Sequence, residues 1–499
     1  MVTLKTVLMG VVIWCGVLFM LWHIRPNSKM HHVVFHQAKK TICFIACIFT
    51  IIICTIPMSL SPIWNGDIPA HRNQYELFAD SILDGHLYFD YEVDQKLLEM
   101  DNPYDHDARE ELGVDYHWDH SFFDGKYYMY FGIVPALLVF VPFKLITGSS
   151  LTTYHATQLF VALFIIGLFK LFKQIASRFF KDMTNAVFVF SCVSFSLMSV
   201  WYFVDAPSLY CTAISSAVCF EIWSFYFFFN ALFVAKSQKS TVFAMTIGSL
   251  FGALAFGCRP TVAMANIILI PVLVTLIKEK RIEKKLTGKL LIILIPYVVT
   301  GVLLMWYNYA RFGSVFEFGQ SYQLTVTDQS SYGSLLSHLS IKNTLSWILY
   351  YLLTNSFSND LLSYGVFITY PVVALSCIWI FKRSCFDSLK RSKLKPFVVV
   401  IIISILIIIA FSSACAPYPI PRYRTDIFWL IAILSFMFIG FETHCAENKS
   451  NCSSRFSFLM CLSMVASVIL FFVPHDQNFT ECEGLSLYKL LQIISFGLI

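Results

Sequence analysis

Asp67 sits in Trp64-Asn65-Gly66-Asp67-Ile68-Pro69, a turn-forming stretch just past an apolar run that closes near Met58. A carboxylate held at such a half-dry boundary can act as general base toward a hydroxyl, or help bind a metal ion. The plainer alternative is a turn or a helix cap. A second constellation is Trp118-Asp119-His120-Ser121, followed by Asp124-Gly125-Lys126-Tyr127-Tyr128. Asp119, His120, Lys126 and Tyr127 bring together carboxylate, imidazole, ammonium and phenol, a set that can grip a sugar or a phosphate. An aromatic belt with solvated charges would account for the tyrosines but leaves Asp119 unexplained. Asp101, Asp105, Asp107 and Glu111 are spaced loosely like oxygen ligands and match no EF-hand loop. A divalent metal ion stays open as a cofactor, with no ligand set assigned.

Arg259, Arg311, Arg422 and Arg424 form a third group, each near the end of an apolar run. In Gly257-Cys258-Arg259-Pro260 the proline can start a helix while the arginine occupies the break. In Pro419-Ile420-Pro421-Arg422-Tyr423-Arg424 two guanidiniums flank a tyrosine on a stiff bend. Guanidinium groups at this depth suit a lipid-linked phosphate, which they can hold bidentately. Snorkelling to ordinary headgroups is the simpler account. Glu221 lies among aromatics in the middle of an apolar run, and intramembrane carboxylates are functional suspects.

Such residues need a scaffold, and composition names its solvent. Hydrophobic residues make up 57% and charged residues 13%, against about 25% charged in soluble proteins. Apolar runs long enough to cross a bilayer recur along the chain. The expected spans are 5–23, 41–58, 152–170, 184–204, 208–235, 241–257, 260–277, 289–307, 363–381, 397–414, 425–441 and 456–473, and 485–499 is a thirteenth span or an interfacial helix. The expectation is an all-α integral membrane protein with about 12–13 transmembrane helices and a large first outer loop. Sixteen of the 31 acidic residues fall within 59–131, with Arg72, Lys96, Arg109 and Lys126 the basic residues there. Lys and Arg concentrate in 24–40, 170–183, 236–240, 278–289, 382–395 and 442–455, which places those segments in the cytoplasm and the acidic loop outside. That alternation makes 130–147 a re-entrant or surface-lying element. Within the loop, the spacing of Tyr75, Phe78, Ala79, Ile82 and Leu83 predicts an amphipathic surface helix stopped at Gly85. A second helix over about 106–112 would be capped by Asp105 and ended by Gly113.

Taken together, these residues resemble the GT-C superfamily of integral-membrane glycosyltransferases, in the bacterial branch of protein O-mannosyltransferases and lipid A aminoarabinose transferases. The likeness rests on an acidic residue soon after an early span and on surface-lying helices in a large first loop. It rests too on Gly125 to Pro135 and on Tyr307 to Ser314 leading into Phe318-Gly319-Gln320-Ser321-Tyr322. It covers 41–325 well and the last third weakly. The chain divides accordingly into 1–40 (extra helix and linker), 41–325 (GT-C-like core, with acidic loop 59–131 and re-entrant element 130–147) and 326–499 (C-terminal membrane region).

The resemblance implies a multi-pass enzyme of the plasma membrane, in bacteria the inner membrane, using a sugar carried on polyprenyl phosphate. By it, Asp67 matches the loop-one catalytic carboxylate. Ile68 follows where the family has an Asp-Glu pair. Phe131-Gly132-Ile133-Val134-Pro135 stands where it has Lys-Pro-Pro or His-Pro-Pro, leaving Lys126 as the stand-in for the donor-phosphate contact. The mechanism expected is Asp67 deprotonating an acceptor hydroxyl that inverts the anomeric carbon. Arg259, Arg311, Arg422 and Arg424 would face the phosphate, and Asp119, His120, Lys126 and Tyr127 would position the substrates. The acceptor is open (lipid, glycan or protein), and no nucleic-acid partner is expected. Rival readings are a transporter or flippase of lipid-linked glycans and a glycan polymerase or ligase of another fold.

Overall fold

The computed structural model describes residues 4–67, 73–282, 288–332, 335–353, 365–416, 418–473 and 485–498. Among them, eleven helices are long and apolar enough to cross a membrane, from Leu4–His23 to Lys449–Leu470. The chain is an all-α, multi-pass membrane protein. Its helix ends obey local chemistry. Thr152 and Thr184 cap Thr153–Phe179 and Asn185–Asp205 by accepting the backbone N–H groups of His155 and Val187, and Ser237 with Ser240 forms a capping box.

Asn185–Asp205 is the axis of the bundle, with every residue buried. Thr425–Cys445 runs nearly as deep, and Phe436 on it stacks flat on Phe172 at 4.0 Å between centroids. Lipid tails are as apolar as leucine, so close backbone approach rather than water exclusion must hold such helices together. Glycines supply it: a Cβ on Gly440 would meet the Phe180 ring at 2.4 Å, and one on Gly248 the Phe228 ring at 2.6 Å.

Three expected features come out differently. The ninth span is not one helix: its described part breaks into Val366–Thr369 and Pro371–Trp379, because Pro371 forbids Tyr370 a helical conformation. Residues 363 and 364 lie outside the described residues. The thirteenth candidate holds only Leu487–Ile494, eight residues, too short to cross about 30 Å of hydrocarbon. The acidic loop also contains a small sheet that no alternating pattern announced. Its strands β1 (Tyr88–Phe89), β2 (Ser121–Phe123) and β3 (Lys126–Tyr128) run antiparallel in the order β1-β3-β2.

The two expected loop helices form as Gln74–Leu83 and His106–Leu112. Asp105 accepts the Ala108 N–H, and Gly113 closes the second helix at φ +59°. Residues 136–147 form a π turn, Ala136–Phe140, continued by Val141–Thr147, a helix of roughly 18 Å that does not span. Gln74–Leu83 packs on it, with Tyr75 stacked on Phe140. The loop then zips onto the second long loop: Phe122 N–H donates to the Tyr322 carbonyl (2.8 Å), Leu324 N–H to His120 (2.9 Å) and Asp119 N–H to Leu324 (3.0 Å). Arg109, fully buried, staples them by donating to the carbonyls of Pro103 (2.6 Å) and Thr325 (2.8 Å).

Glu76 joins the loop to the membrane bundle by accepting the Thr153 N–H at 3.0 Å. Burial, opposed by backbone hydrogen bonds, raises its pKa to about 8 from 4.5. The folded state therefore binds this proton more tightly than the unfolded chain does. Its stability is fully present below about pH 4.5 and falls as pH rises through about 8. Glu76→Gln keeps the acceptor without the ionisation. Thermal unfolding in detergent should give it a higher Tm than the parent at pH 8.5 and an equal one at pH 4, the pH values chosen to bracket that window (~4.5 to ~8).

Candidate functional site

Asp119 is the residue around which the polar centre is built. Its backbone is in the left-handed region at φ +56°, a conformation that asparagine and aspartate tolerate better than most. The loop zipper holds it there, and its carboxylate turns into the bundle, buried. One oxygen accepts Gln323 Nε2 at 2.8 Å and the other accepts the Tyr210 hydroxyl. Tyr210 stands at the start of Leu209–Phe233. The Arg422 guanidinium lies over its ring at 4.1 Å, and over Tyr423 at 5.7 Å.

Arg259 also approaches Tyr423, 4.9 Å from the ring centroid. It is the residue before Pro260, in the break between Gln238–Phe256 and the next helix. Its Nε and Nη2 bind Asp426 in a fork, at 2.9 and 3.0 Å. Asp426 is fully buried and also accepts the Thr261 hydroxyl at 3.3 Å. Arg259 is thus neutralised inside the protein. Arg422 differs: among the described residues no carboxylate comes within ion-pair distance of it, and it is only half-buried. The Asp119 carboxylate acts on it from beyond ion-pair distance, and a guanidinium lying over aromatic rings with no direct ion pair suits an incoming phosphate.

The segment 130–147 completes the wall. Val134 N–H donates to the Gly257 carbonyl at 3.2 Å. A Cβ on Gly132 would lie 2.3 Å from the Cys258 carbonyl oxygen, so only glycine allows this contact with the break that carries Arg259. The Tyr130 phenol is buried here. Burial raises its pKa, and Tyr423 and Asp119 push the same way against Arg259.

The remaining sequence candidates take other places. Asp67 is exposed, just beyond the turn Pro62–Asn65, which Ser61 caps and Gly66 closes at φ +105°. No hydrogen bond or ion pair joins it to Arg259 or Arg422 among the described residues. His120 is buried, and burial lowers its pKa to about 3, so the ring stays neutral. Its Nδ1–H donates to the Trp118 carbonyl at 2.9 Å, and Nε2 accepts from Tyr91 at 3.4 Å. Tyr127 is buried edge-on against His117 and Tyr91. Lys126 is exposed, with Nζ 4.1 Å from the Tyr88 ring centroid. Arg311 donates to the Met129 carbonyl (2.7 Å) and to Asn308 (3.0 Å) and stacks on Tyr307. Arg424 lies over Tyr350 at 4.7 Å.

Of the four loosely spaced acids, Asp105 serves as a helix cap. The group able to offer converging metal ligands among the described residues is instead Asp84, His86 and Asp90. Sequence reading missed Tyr210, Gln323, Tyr423 and Asp426. Asp426 carried a signal, as an acid in the first turn of an apolar helix directly after two arginines. Tyr210 and Gln323 carried none, because each matters only through its contact with Asp119.

No family model matches the chain, and no curated protein does. Solved structures do. ArnT from Cupriavidus metallidurans bound to undecaprenyl phosphate is 11% identical, over 87% of this chain and 77% of that one, with a TM-score of 0.46. The archaeal oligosaccharyltransferase AglB from Archaeoglobus fulgidus, in complex with an inhibitory peptide and a dolichol-phosphate, is 13% identical over 86% of this chain, with a TM-score of 0.44. The chain spans 55% of that enzyme's length.

Gly132→Ala should push this segment off the Cys258 carbonyl at a cost of about 1–3 kcal/mol. A lower Tm, together with loss of protection from hydrogen exchange at the Val134 amide, is the expected result. Unchanged exchange there would show that the contact does not form.

Proposed function

We propose that the protein is a membrane glycosyltransferase that moves a sugar from a polyprenyl-phosphate donor to an acceptor hydroxyl on the outer face of the membrane. The observation that carries this reading is Arg422: a half-buried guanidinium with no direct ion pair among the described residues, set beside the Asp119–Tyr210 pair where apolar helices meet a polar cap. A lipid carrier would lie along the helices with its phosphate at Arg422. Outside the cytoplasm no nucleotide sugar is at hand, so an activated sugar must arrive on lipid. The distribution of Lys and Arg supports that sidedness.

In this reading the anomeric C–O bond to phosphate breaks as the acceptor oxygen attacks the opposite face, which inverts the configuration. Negative charge grows on the leaving phosphate, and Arg422, preorganised by two tyrosine faces, meets it without reorganising. Arg259, held by Asp426, keeps Tyr423 and the break in place. The acceptor proton goes to a carboxylate. Both Asp119 oxygens are engaged, by Gln323 and Tyr210, so Asp119 orients the site. Asp67, exposed on a capped turn early in the same acidic loop, is the general base. Lys126, Arg311 and Arg424 are engaged elsewhere, and His120 and Tyr127 are fixed, buried parts of the cap. A divalent ion at Asp84, His86 and Asp90 is not needed for these steps.

Asp67→Asn should lower transfer by about 10²–10⁴-fold with donor binding retained, the contribution expected of a positioned base. Arg422→Ala should weaken donor binding and transfer together, and Asp119→Asn should do so less severely. The readout is radiolabel moving from a polyprenyl-phosphate sugar to a new acceptor in membranes. Normal turnover by Asp67→Asn removes the base assignment, and label that changes leaflet with the donor intact makes the protein a flippase.

A further inference from the structure

The first helix, Leu4–His23, is attached to the rest of the bundle in an unusual way. Two of its contacts are made through glycines on different faces. Gly16 seats against Phe49, whose ring a Cβ would meet at 2.3 Å, and Gly10 seats against the C-terminal helix, where a Cβ would lie 2.5 Å from the Ile493 carbonyl oxygen. Trp14 Nε1 fixes the second contact by donating to the Ile494 carbonyl at 2.7 Å. Residues 10 and 16 point well apart around a helix of 3.6 residues per turn. The helix is thus drawn in closely at these two points, and a gap remains between them.

That gap is a cavity of about 750 Å³, walled by residues such as Gly16, Phe49, Val193, Met464 and Leu490. Thr50 is the one hydroxyl among its lining residues, and it already donates to the Ala46 carbonyl at 2.7 Å. Water needs two to four polar partners to be stable in a cavity, and none is offered here. An empty space of this size would forfeit dispersion contacts over its whole lining. Its rim is the lipid-facing surface itself: Ile45, Phe19, Val465 and Leu491 line the cavity and are 59%, 39%, 46% and 46% exposed. The cavity is thus continuous with the protein–lipid interface and falls in the range of roughly 300–1,000 Å³ typical of ligand sites.

We infer that an acyl chain of a bilayer phospholipid occupies this cavity and completes the packing of the first and last helices against the bundle. The five helices that wall it carry none of Asp119, Arg259 and Arg422. It is a separate site from that proposed for the donor, and the inference stands whether or not the chain is a transferase.

The test uses the full chain in vesicles of phosphatidylethanolamine and phosphatidylglycerol doped with a phosphatidylcholine bearing a diazirine in its acyl chain. Photolabelled peptides are mapped by mass spectrometry. Labelling should concentrate on the segments around Phe49, Val193 and Leu490. Filling the cavity with Val193→Phe, or blocking its rim with Leu491→Trp, should reduce that labelling several-fold while leaving the exposed face of Gly288–Phe312 labelled as before. Two variants guard against one failing to fold. Labelling spread evenly over all lipid-facing helices, or unaltered in a folded variant, overturns the inference. So does complete displacement of the label by added undecaprenyl phosphate, which would make the cavity a place for a donor tail.

Discussion

Arg259 and Asp426 are joined inside the protein by a forked ion pair, and the polar centre depends on it. Taking either charge alone out of water costs far more than a folded protein can spare. The pair is tolerated because its geometry is bidentate and because Thr261 adds a hydroxyl to the carboxylate. It links the break after Gln238–Phe256 to the start of Thr425–Cys445, segments 167 residues apart. Both Arg259 and Arg422 lie against Tyr423, so a neutralised cation helps position the ring beside the cation that has no direct ion pair.

The same logic explains the cap above it. A loop rich in acidic residues cannot organise itself by burying apolar surface alone. It is held by backbone pairing to the second long loop and by Arg109, a buried guanidinium that binds two carbonyls. The left-handed backbone at Asp119 is sustained by that pairing, and its carboxylate is buried where most of the loop's acids are exposed. Local strain of this kind persists only where surrounding structure over-determines it.

A second polar cluster lies deeper. Glu221 is fully buried and accepts Asn266 Nδ2 at 2.6 Å, while Asn266 Oδ1 accepts the Tyr297 hydroxyl at 2.5 Å. Asn266 sits in the 3₁₀ segment Met264–Ile268, where the helix departs from regular geometry, and Gly252 leaves room for it. Polar groups in hydrocarbon must find partners within the protein, and here one amide serves three helices. Glu221 looked solitary in the sequence because its partner is 45 residues away.

What the sequence determined by itself follows from short-range rules. Apolar run length, Lys and Arg placement and helix caps are local properties, so the membrane-spanning class and the helices at Gln74–Leu83 and His106–Leu112 were legible to within a residue or two. The broken ninth span was marked by Pro371 and was passed over because its apolar length outweighed the proline. The three-stranded sheet was not legible, since strands of two or three residues are too short to show alternation. At the site, the arginines and acids stood out as residue types, but which of them meet was decided only by the tertiary structure. Asp119 finds Tyr210, and Arg259 finds Asp426, across 91 and 167 residues. Spacing along the chain carries no information about such pairings, because in a bundle they are fixed by which helix faces pack together.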